Sequence, residues 1–390
     1  MARLHTNIPA PKAKKEPVTI EQLGFSRTDN YAWLKDKHWQ RVMANPSELR
    51  ADIKDHLKAE NAYMAKVMAP TKKLQDALLD EFKGRIKDDD SSVPAPDGPF
   101  AYAHKFRPGD EHGLYIRTPR HTPQKDETIL LDADALAQTY KQDGFAFFDI
   151  GAIAHSDDHK FLAYALDLQG SEQYQIFIKD IERARLIGPQ IQASAGDLVW
   201  AADNQTLFWV ERDENNRPCK VYRQNILSEG SAELVYDEDD PGFFVSIGRS
   251  DTGNWIEILC NDHTTSETWL IPAKSPKTAP KCARTRQRNI EYSLHDHGED
   301  FYILTNKDNA IDFKIMKCTQ TEVQNDTWET LVPHSPGTLI LDVETYQGYL
   351  VRLERKNALP RIVIHNLETG EEHSIDFNEE AYALGLEGGY

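Results

Sequence analysis

A strand start that recurs at a nearly fixed interval constrains this chain more than any other feature. An aromatic residue or Leu opens a strand directly after a polar turn in HKFLAY, QTLFWV, GNWIEI, EDFYIL and QGYLVRL, at Phe161, Leu207, Trp255, Phe301 and Tyr349. The intervals are 46, 48, 46 and 48 residues. A period in the mid-forties of four-strand units is typical of a β-propeller, so we predict that fold for most of the chain.

The segment 150–188 predicts one complete repeat. It holds four short apolar or alternating runs separated by polar turns, which is the pattern of an antiparallel sheet. One such sheet cannot bury both of its faces and needs neighbours of the same kind. A third strand also recurs, in QYQIFIKD, KVYRQNIL, ETWLIPA, DFKIMKC and RIVIHNL. An irregular β-sandwich is the alternative, but sandwiches do not repeat at a fixed period of this size.

The repeats predict six countable blades and the beginning of one more. An insertion is expected between the first two blades, because Phe100 lies 61 residues before Phe161. Residues 382–386 are expected to form the opening strand of a further blade. The predicted blades begin near Phe100, Ile150, Ile191, Phe243, Ile290 and Leu339.

The N-terminal segment lies outside the repeat. We predict an arm and helices over residues 1–86 and the propeller over residues 87–390. Asn45 is a suitable cap and Pro46 a suitable first-turn residue for a helix that runs to about Met68. A second helix is expected to begin at residues 70–71 and to end at Gly84. Both helices are amphipathic and therefore need another surface to cover their apolar stripes.

The composition limits the partners and the compartment. The 390 residues carry a net charge of −18, which argues against nucleic acid as a partner and favours either a cationic partner or simple solubility. The four cysteines form no C-x-x-C pair, so neither a disulfide framework nor a thiolate zinc site is predicted. No stretch has the length of a membrane span, and the first residues lack the apolar core of a signal peptide. We therefore expect no membrane association and a cytoplasmic location, with a periplasmic location left open.

Several short strings in a fixed order extend over nearly the whole chain. They are YAWLKD (31–36), KAENAY (58–63), GAIAHS (151–156), GSEQY (170–174), FFVSIG (243–248), TSETWL (265–270), FYILTN (301–306), LER (353–355) and TGEEH (369–373). Through these strings the chain resembles the prolyl oligopeptidase family of serine peptidases, and most closely its oligopeptidase B branch. Departures are small: Lys35 stands where Arg is common, and residues 23–25 replace a His-Gly pair.

The resemblance implies an all-β fold, a seven-bladed β-propeller with an incomplete seventh blade, preceded by an α-helical N-terminal extension. In the family the propeller sits over an α/β-hydrolase domain and admits only short peptides to a Ser-Asp-His triad, and the oligopeptidase B branch cleaves after Arg and Lys. The implied partners are a basic oligopeptide substrate and a C-terminal hydrolase domain. An acidic residue in the loop 170–172 pairs, in the family, with a cation of the catalytic domain. Glu172 is therefore the candidate interdomain gating contact, with an ordinary solvated carboxylate as the alternative.

These residues contain no nucleophile turn of a serine hydrolase. An α/β-hydrolase carries its Ser in G-x-S-x-G, and that string does not occur in these residues. The similar stretch 248–253 is one residue too long and is predicted to be a hairpin turn. His295 and His297 lack an evident third metal ligand, and the acidic run 88–90 lacks the Gly and Glu of a calcium loop.

We therefore predict no catalytic, cofactor-binding or metal-binding residue in these residues. The expected function is that of the substrate-gating propeller of an oligopeptidase B-like serine peptidase. The alternative is a free-standing propeller that binds a protein or peptide without catalysis.

Overall fold

The computed structural model describes residue 4 and residues 7–121, 126–228, 230–325 and 327–386. Contacts divide the chain into two compact units. The first unit comprises residues 1–147 with residues 169–171, and the second comprises residues 148–168 with residues 172–390.

The first unit begins with a hairpin and helices. Strands β1 (Val18–Gln22) and β2 (Phe25–Asp29) pair antiparallel. They are followed by α1 (Trp39–Ala44), α2 (Ala51–Met68) and α3 (Lys72–Lys83). The predicted helix from Asn45 is two pieces, because Asn45 caps only a short 3-10 turn and Leu49 and Arg50 leave the helical conformation before α2 begins. The second predicted helix is confirmed as α3, which ends at Gly84.

A four-stranded antiparallel sheet completes the first unit. Its strands follow chain order and are β3 (Ala95–Asp97), β4 (Phe100–Lys105), β5 (Leu114–Pro119) and β6 (Thr128–Asp132). The predicted strand start at Phe100 is correct, but β3 precedes it as the first strand of the sheet. The expected insertion contains α4 (Ala133–Gln142), whose cap is the side chain of Asp132.

The second unit consists of short antiparallel strands. The predicted second strands begin within one residue of their expected positions, at β8, β11, β15, β19 and β23. The strands are β7 (Asp149–His155), β8 (Phe161–Asp167), β9 (Tyr174–Asp180), β10 (Arg185–Trp200), β11 (Thr206–Arg212), β12 (Pro218–Asn225), β13 (Glu233–Asp237), β14 (Phe244–Arg249), β15 (Trp255–Asn261), β16 (Ser266–Pro272), β17 (Lys281–Arg284), β18 (Tyr292–His297), β19 (Asp300–Thr305), β20 (Lys314–Thr319), β21 (Glu329–Val332), β22 (Thr338–Tyr346), β23 (Tyr349–Lys356), β24 (Leu359–Asn366) and β25 (Glu372–Ser374).

Strand β10 joins two blades into one sheet. It pairs with β9 through its first half and with β11 through its second half, so β7 to β13 form one seven-stranded sheet. The expectation that one sheet ends within residues 150–188 and that a separate blade begins near Ile191 is therefore wrong. Gly188 and Gly196 adopt positive φ, and the register of β10 shifts around them, which lets the strand turn from one blade into the next without ending.

Neighbouring blades of the second unit pack through apolar side chains. One cluster joins β10–β13 to β14–β17 and contains Phe208, Val221 and Ile256, each fully buried. Trp209 lies in the cluster on the other side of the same sheet. Successive side chains of a strand point to opposite faces of the sheet, so neighbouring residues of β11 pack in two different interfaces. Each such burial contributes about 1.5–3 kcal/mol to the free energy of unfolding.

The remaining sheets of the second unit are β14–β17, β18–β21 and β22–β25. The described residues thus contain six four-stranded blades when β10 is shared. The predicted further strand at 382–386 is not formed: that segment has no strand partner, and residues 387–390 lie outside the described part. The four cysteines are free thiols. No helix in the described part is long and apolar enough to cross a membrane.

Candidate functional site

The turns between the second and third strands of the blades form one face of the second unit. In the second unit these turns are residues 168 and 172–173, 213–217, 262–265, 306–313 and 357–358, and we call them the turn face. They occupy equivalent positions in successive blades, so the repeat places them at the same end of the strands. The predicted site residue Glu172 lies in the first of these turns.

Glu172 has a fixed backbone and an exposed carboxylate. Its φ is +57°, and its N–H donates to Asp167 Oδ2 at 2.7 Å. Its Oε2 lies 3.6 Å from a terminal nitrogen of Arg212, while its side chain remains 67% exposed. The structure therefore places Glu172 beside a cation of the same unit. Whether it also meets a cation of another domain stays a prediction.

Arg212 is the more buried partner, with a side chain that is 18% exposed. Its Nη1 donates to the carbonyl of Asn216 at 3.0 Å, but its buried Nε has no hydrogen-bond partner in the described part of the chain. Burial raises the pKa of nearby Asp197, and the charge of Arg212 opposes that rise. Arg212 is thus held by a backbone carbonyl as well as by Glu172. Nothing in its local sequence distinguishes it from an ordinary surface arginine.

A cavity of about 380 Å³ opens on the same face. It lies between β15, the turn 262–265, the beginning of β18 and the turn 306–313. Its walls combine aliphatic and aromatic side chains with three carboxylates, Asp262, Glu267 and Glu291, and several hydroxyl groups. The lining includes Leu259, Leu304, Phe313, Leu341, Asp262, Glu291 and Ser293.

Two of the three carboxylates of the cavity, Asp262 and Glu291, differ in environment. Asp262 accepts a hydrogen bond from the backbone N–H of Thr264 at 2.7 Å, and such bonds hold its pKa below the usual range. Burial raises the pKa of Glu291, and the negative charge of Asp262 raises it further. No described cation lies within ion-pairing distance of either carboxylate. The cavity therefore carries uncompensated negative charge.

Phe313 forms one wall of the cavity at the cost of backbone strain. Its φ is +64°, a conformation that bulky side chains rarely adopt. The N–H of Phe313 donates to the carbonyl of Ala310 at 2.8 Å, and Lys314 binds Asp308 at 2.8 Å, so the turn is fixed on both sides of its strained part. These contacts hold the aromatic ring against the apolar cluster that contains Leu304 and Ile315.

Ser293, His295 and Asp251 form a polar relay next to the cavity. The Ser293 hydroxyl lies 3.0 Å from His295 Nε2, and His295 Nδ1 lies 3.2 Å from Asp251 Oδ2. The order of atoms is that of a serine-hydrolase triad, but Ser293 lies in the middle of the regular strand β18, opposite Leu304. The sharp turn that exposes a hydrolase nucleophile is therefore missing here. The relay links the β14–β15 turn to β18 and fixes the orientation of the imidazole.

The turn between β14 and β15 is the hairpin that the sequence predicts over 248–253. Its residues bind the buried carboxylate of Asp296, which accepts from Ser250 Oγ at 3.0 Å and from Thr252 N at 2.9 Å. Glu257, on the neighbouring strand, is buried, and its Oε1 has no partner among the described residues. Burial, with the charges of Asp296 and Asp251, raises the pKa of Glu257 to about 8.

Four-stranded meanders that repeat and pack face to face define a β-propeller protein. The family model described as "Prolyl oligopeptidase, N-terminal beta-propeller domain" matches residues 11–387. The chain therefore belongs to the prolyl oligopeptidase family and represents its N-terminal propeller part. This result confirms the fold class and the family that the sequence predicts.

Similarity to curated peptidases supports this assignment. Dipeptidyl aminopeptidase BI from Pseudoxanthomonas mexicana is 32% identical over 97% of this chain and 52% of its own length. Protease 2 from Moraxella lacunata is 25% identical over 96% of this chain and 52% of its own length. The chain thus spans about half the length of these curated relatives.

Solved structures show the same fold. Oligopeptidase B from Leishmania major superimposes with a TM-score of 0.86 at 23% identity, over 95% of this chain and 54% of that one. Oligopeptidase B from Trypanosoma brucei, in a closed form with covalently bound antipain, gives a TM-score of 0.84 at 25% identity with the same coverage.

Proposed function

We propose that this chain is the substrate-gating propeller of an oligopeptidase B-like serine peptidase that cleaves short peptides after Arg or Lys. One observation carries the preference for basic peptides: the turn face holds the carboxylates Asp262 and Glu291 with no described cation to neutralise them. The net charge of −18 acts in the same direction over longer distances. The bond-breaking step belongs to an α/β-hydrolase domain, because these residues contain no G-x-S-x-G turn.

In this proposal the propeller contributes selection rather than chemistry. Its negative field raises the local concentration of cationic peptides before they reach the catalytic serine. Glu172 contributes a latch: its exposed carboxylate leaves Arg212 at little cost and pairs with a cation of the hydrolase domain when the enzyme closes. Closure then excludes water and long chains from the reacting centre.

The test joins this chain in frame to the part of dipeptidyl aminopeptidase BI that follows the matched segment. We expect the fusion to cleave a short peptide after Arg. The analogue with citrulline, which has the same shape without the charge, should be cleaved with a kcat/KM at least about tenfold lower. A folded protein that contains the same peptide sequence should not be cleaved.

Equal rates on the arginine and citrulline peptides would refute the charge selection, and cleavage of folded proteins would refute the gate. A folded fusion that binds basic peptides but cleaves none would favour the alternative of a binding module. Circular dichroism of the fusion establishes that it is folded before the kinetics are compared.

A further inference from the structure

We propose that the cavity on the turn face is a binding site for the side chain of an arginine in a peptide ligand. The guanidinium lies between Asp262 and Glu291, and the methylene groups lie against Leu259 and Phe313. The inference deepens the proposed function and rests on it only for the peptide to which the arginine belongs. The site lies within the propeller.

Charge complementarity is the first argument. Two carboxylates line one cavity, and the charge of Asp262 disfavours ionisation of Glu291. A cation placed between them removes that repulsion and gains attraction to both. The third acidic side chain of the cavity, Glu267, already binds Arg286 at 3.0 Å and accepts from the indole N–H of Trp269 at 2.9 Å. Among the described carboxylates of this cavity, only Asp262 and Glu291 therefore lack a cationic partner.

The size and the walls of the cavity identify the class of cation. A volume of about 380 Å³ lies within the range of cavities that hold small organic ligands and far exceeds the space of a bare metal ion. Leu259, Leu304 and Leu341 supply apolar surface for a hydrocarbon stem. The ring of Phe313 adds a face over which a cation is attracted. A long side chain with a terminal cation can contact the carboxylates, the apolar surface and the aromatic ring at the same time.

Arginine fits better than lysine because two separate carboxylates must be reached. The guanidinium presents five N–H donors in a planar fork, whereas the ammonium of lysine is a compact point charge. Asp262 and Glu291 come from different blades, since the first follows β15 and the second precedes β18. A planar bridge between blades is the geometry in which a guanidinium makes charge-assisted hydrogen bonds to both.

The experiment measures binding to this chain itself by titration calorimetry, with N-acetyl-arginine amide as the probe and N-acetyl-citrulline amide as the neutral analogue. A ligand of this size is expected to bind with a Kd on the order of 1 mM. We expect the citrulline analogue to bind at least about tenfold more weakly. Glu291→Gln and Asp262→Asn should each weaken arginine binding by about tenfold.

Glu299→Gln is the matched control, because Glu299 is an exposed carboxylate at the opposite end of β18 and its replacement changes the net charge by the same amount. Its affinity for the probe should change by less than about twofold. Equal weakening in all three variants would show a general charge effect and overturn the site. Unchanged affinity in Glu291→Gln and Asp262→Asn, with folding verified by circular dichroism, would overturn it too.

The failure of this inference is distinguishable from failure of the proposed function. Calorimetry on the isolated chain reports the cavity without any turnover. A fusion enzyme that prefers arginine peptides while Glu291→Gln leaves binding intact would keep the function and remove the site.

Discussion

The carboxylate of Glu172 and the guanidinium of Arg212 lie 3.6 Å apart and join two neighbouring blades. The two partners are unequal: Glu172 projects into solvent, whereas Arg212 is largely buried and is held by the carbonyl of Asn216. When such a pair separates, the arginine stays in place and the glutamate moves. The pair therefore provides an exposed carboxylate with a weak resting partner, which is the physical requirement for a releasable latch.

Replacing Glu172 by Ala should leave stability almost unchanged and impair turnover. An exposed ion pair contributes only about 0–1 kcal/mol to the free energy of unfolding. In the fusion enzyme described above, Glu172→Ala should lower kcat for short peptides several-fold, because closure loses one contact. Glu182→Ala, at an exposed position in the β9–β10 turn, is the control and should alter neither quantity. Wild-type kinetics for Glu172→Ala would exclude Glu172 from the gate.

The pair Arg249 and Asp157 should respond asymmetrically to mutation. Arg249 donates to the carbonyl of Trp200 at 2.8 Å and to that of Gly253 at 3.0 Å, in addition to its 3.2 Å pair with Asp157. Asp157→Ala removes only an exposed ion pair and should cost about 0–1 kcal/mol. Arg249→Ala also leaves two carbonyls without their donor and should cost about 2–3 kcal/mol. Urea denaturation measures both, and equal losses would contradict this ranking.

The blades were predictable because their strands carry strong local signals. Phe161, Trp255 and Tyr349 each follow a polar turn and begin strands that alternate between two buried or half-buried faces. The fusion of two blades through β10 was not predictable, because residues 188–189 are Gly-Pro, a pair that normally marks a loop. Helices α1 and α4 were also missed, since they are short, with six and ten residues.

The site was less accessible to sequence reasoning than the fold. Glu172 was singled out only through the resemblance, and its partner Arg212 lies in the next blade, 40 residues along the chain. Asp262 and Glu291 line one cavity for the same reason, since blade packing and not local sequence places them there. One signal was present: turns about one repeat apart share a face, so charges in such turns are candidates for a common site.

Gly188 should tolerate alanine much less well than Gly337. Both have positive φ, +68° and +79°, so each substitution incurs the strain of a left-handed backbone, about 1–2 kcal/mol. A Cβ at Gly188 would also lie 2.8 Å from the carbonyl oxygen of Ile226, whereas nothing lies within 4 Å of one at Gly337. We expect Gly188→Ala to cost about 1–3 kcal/mol more than Gly337→Ala in urea denaturation. Equal costs would show that β10 moves away from Ile226 freely.

Glu257 should make the stability of the protein depend on pH. Its folded pKa of about 8 lies above the value of an unfolded glutamate, so the folded state holds an extra proton between the two. The free energy of unfolding therefore falls as pH rises through this window, by at most about 5 kcal/mol. Glu257→Gln mimics the protonated form, so its stability should match that of the wild type near pH 5 and exceed it by several kcal/mol at pH 9. Chemical denaturation at pH 5, 7 and 9 measures the difference, with Glu299→Gln as the exposed control that should keep the wild-type slope. Parallel curves for the wild type and Glu257→Gln would mean that Glu257 ionises in the folded state without this cost.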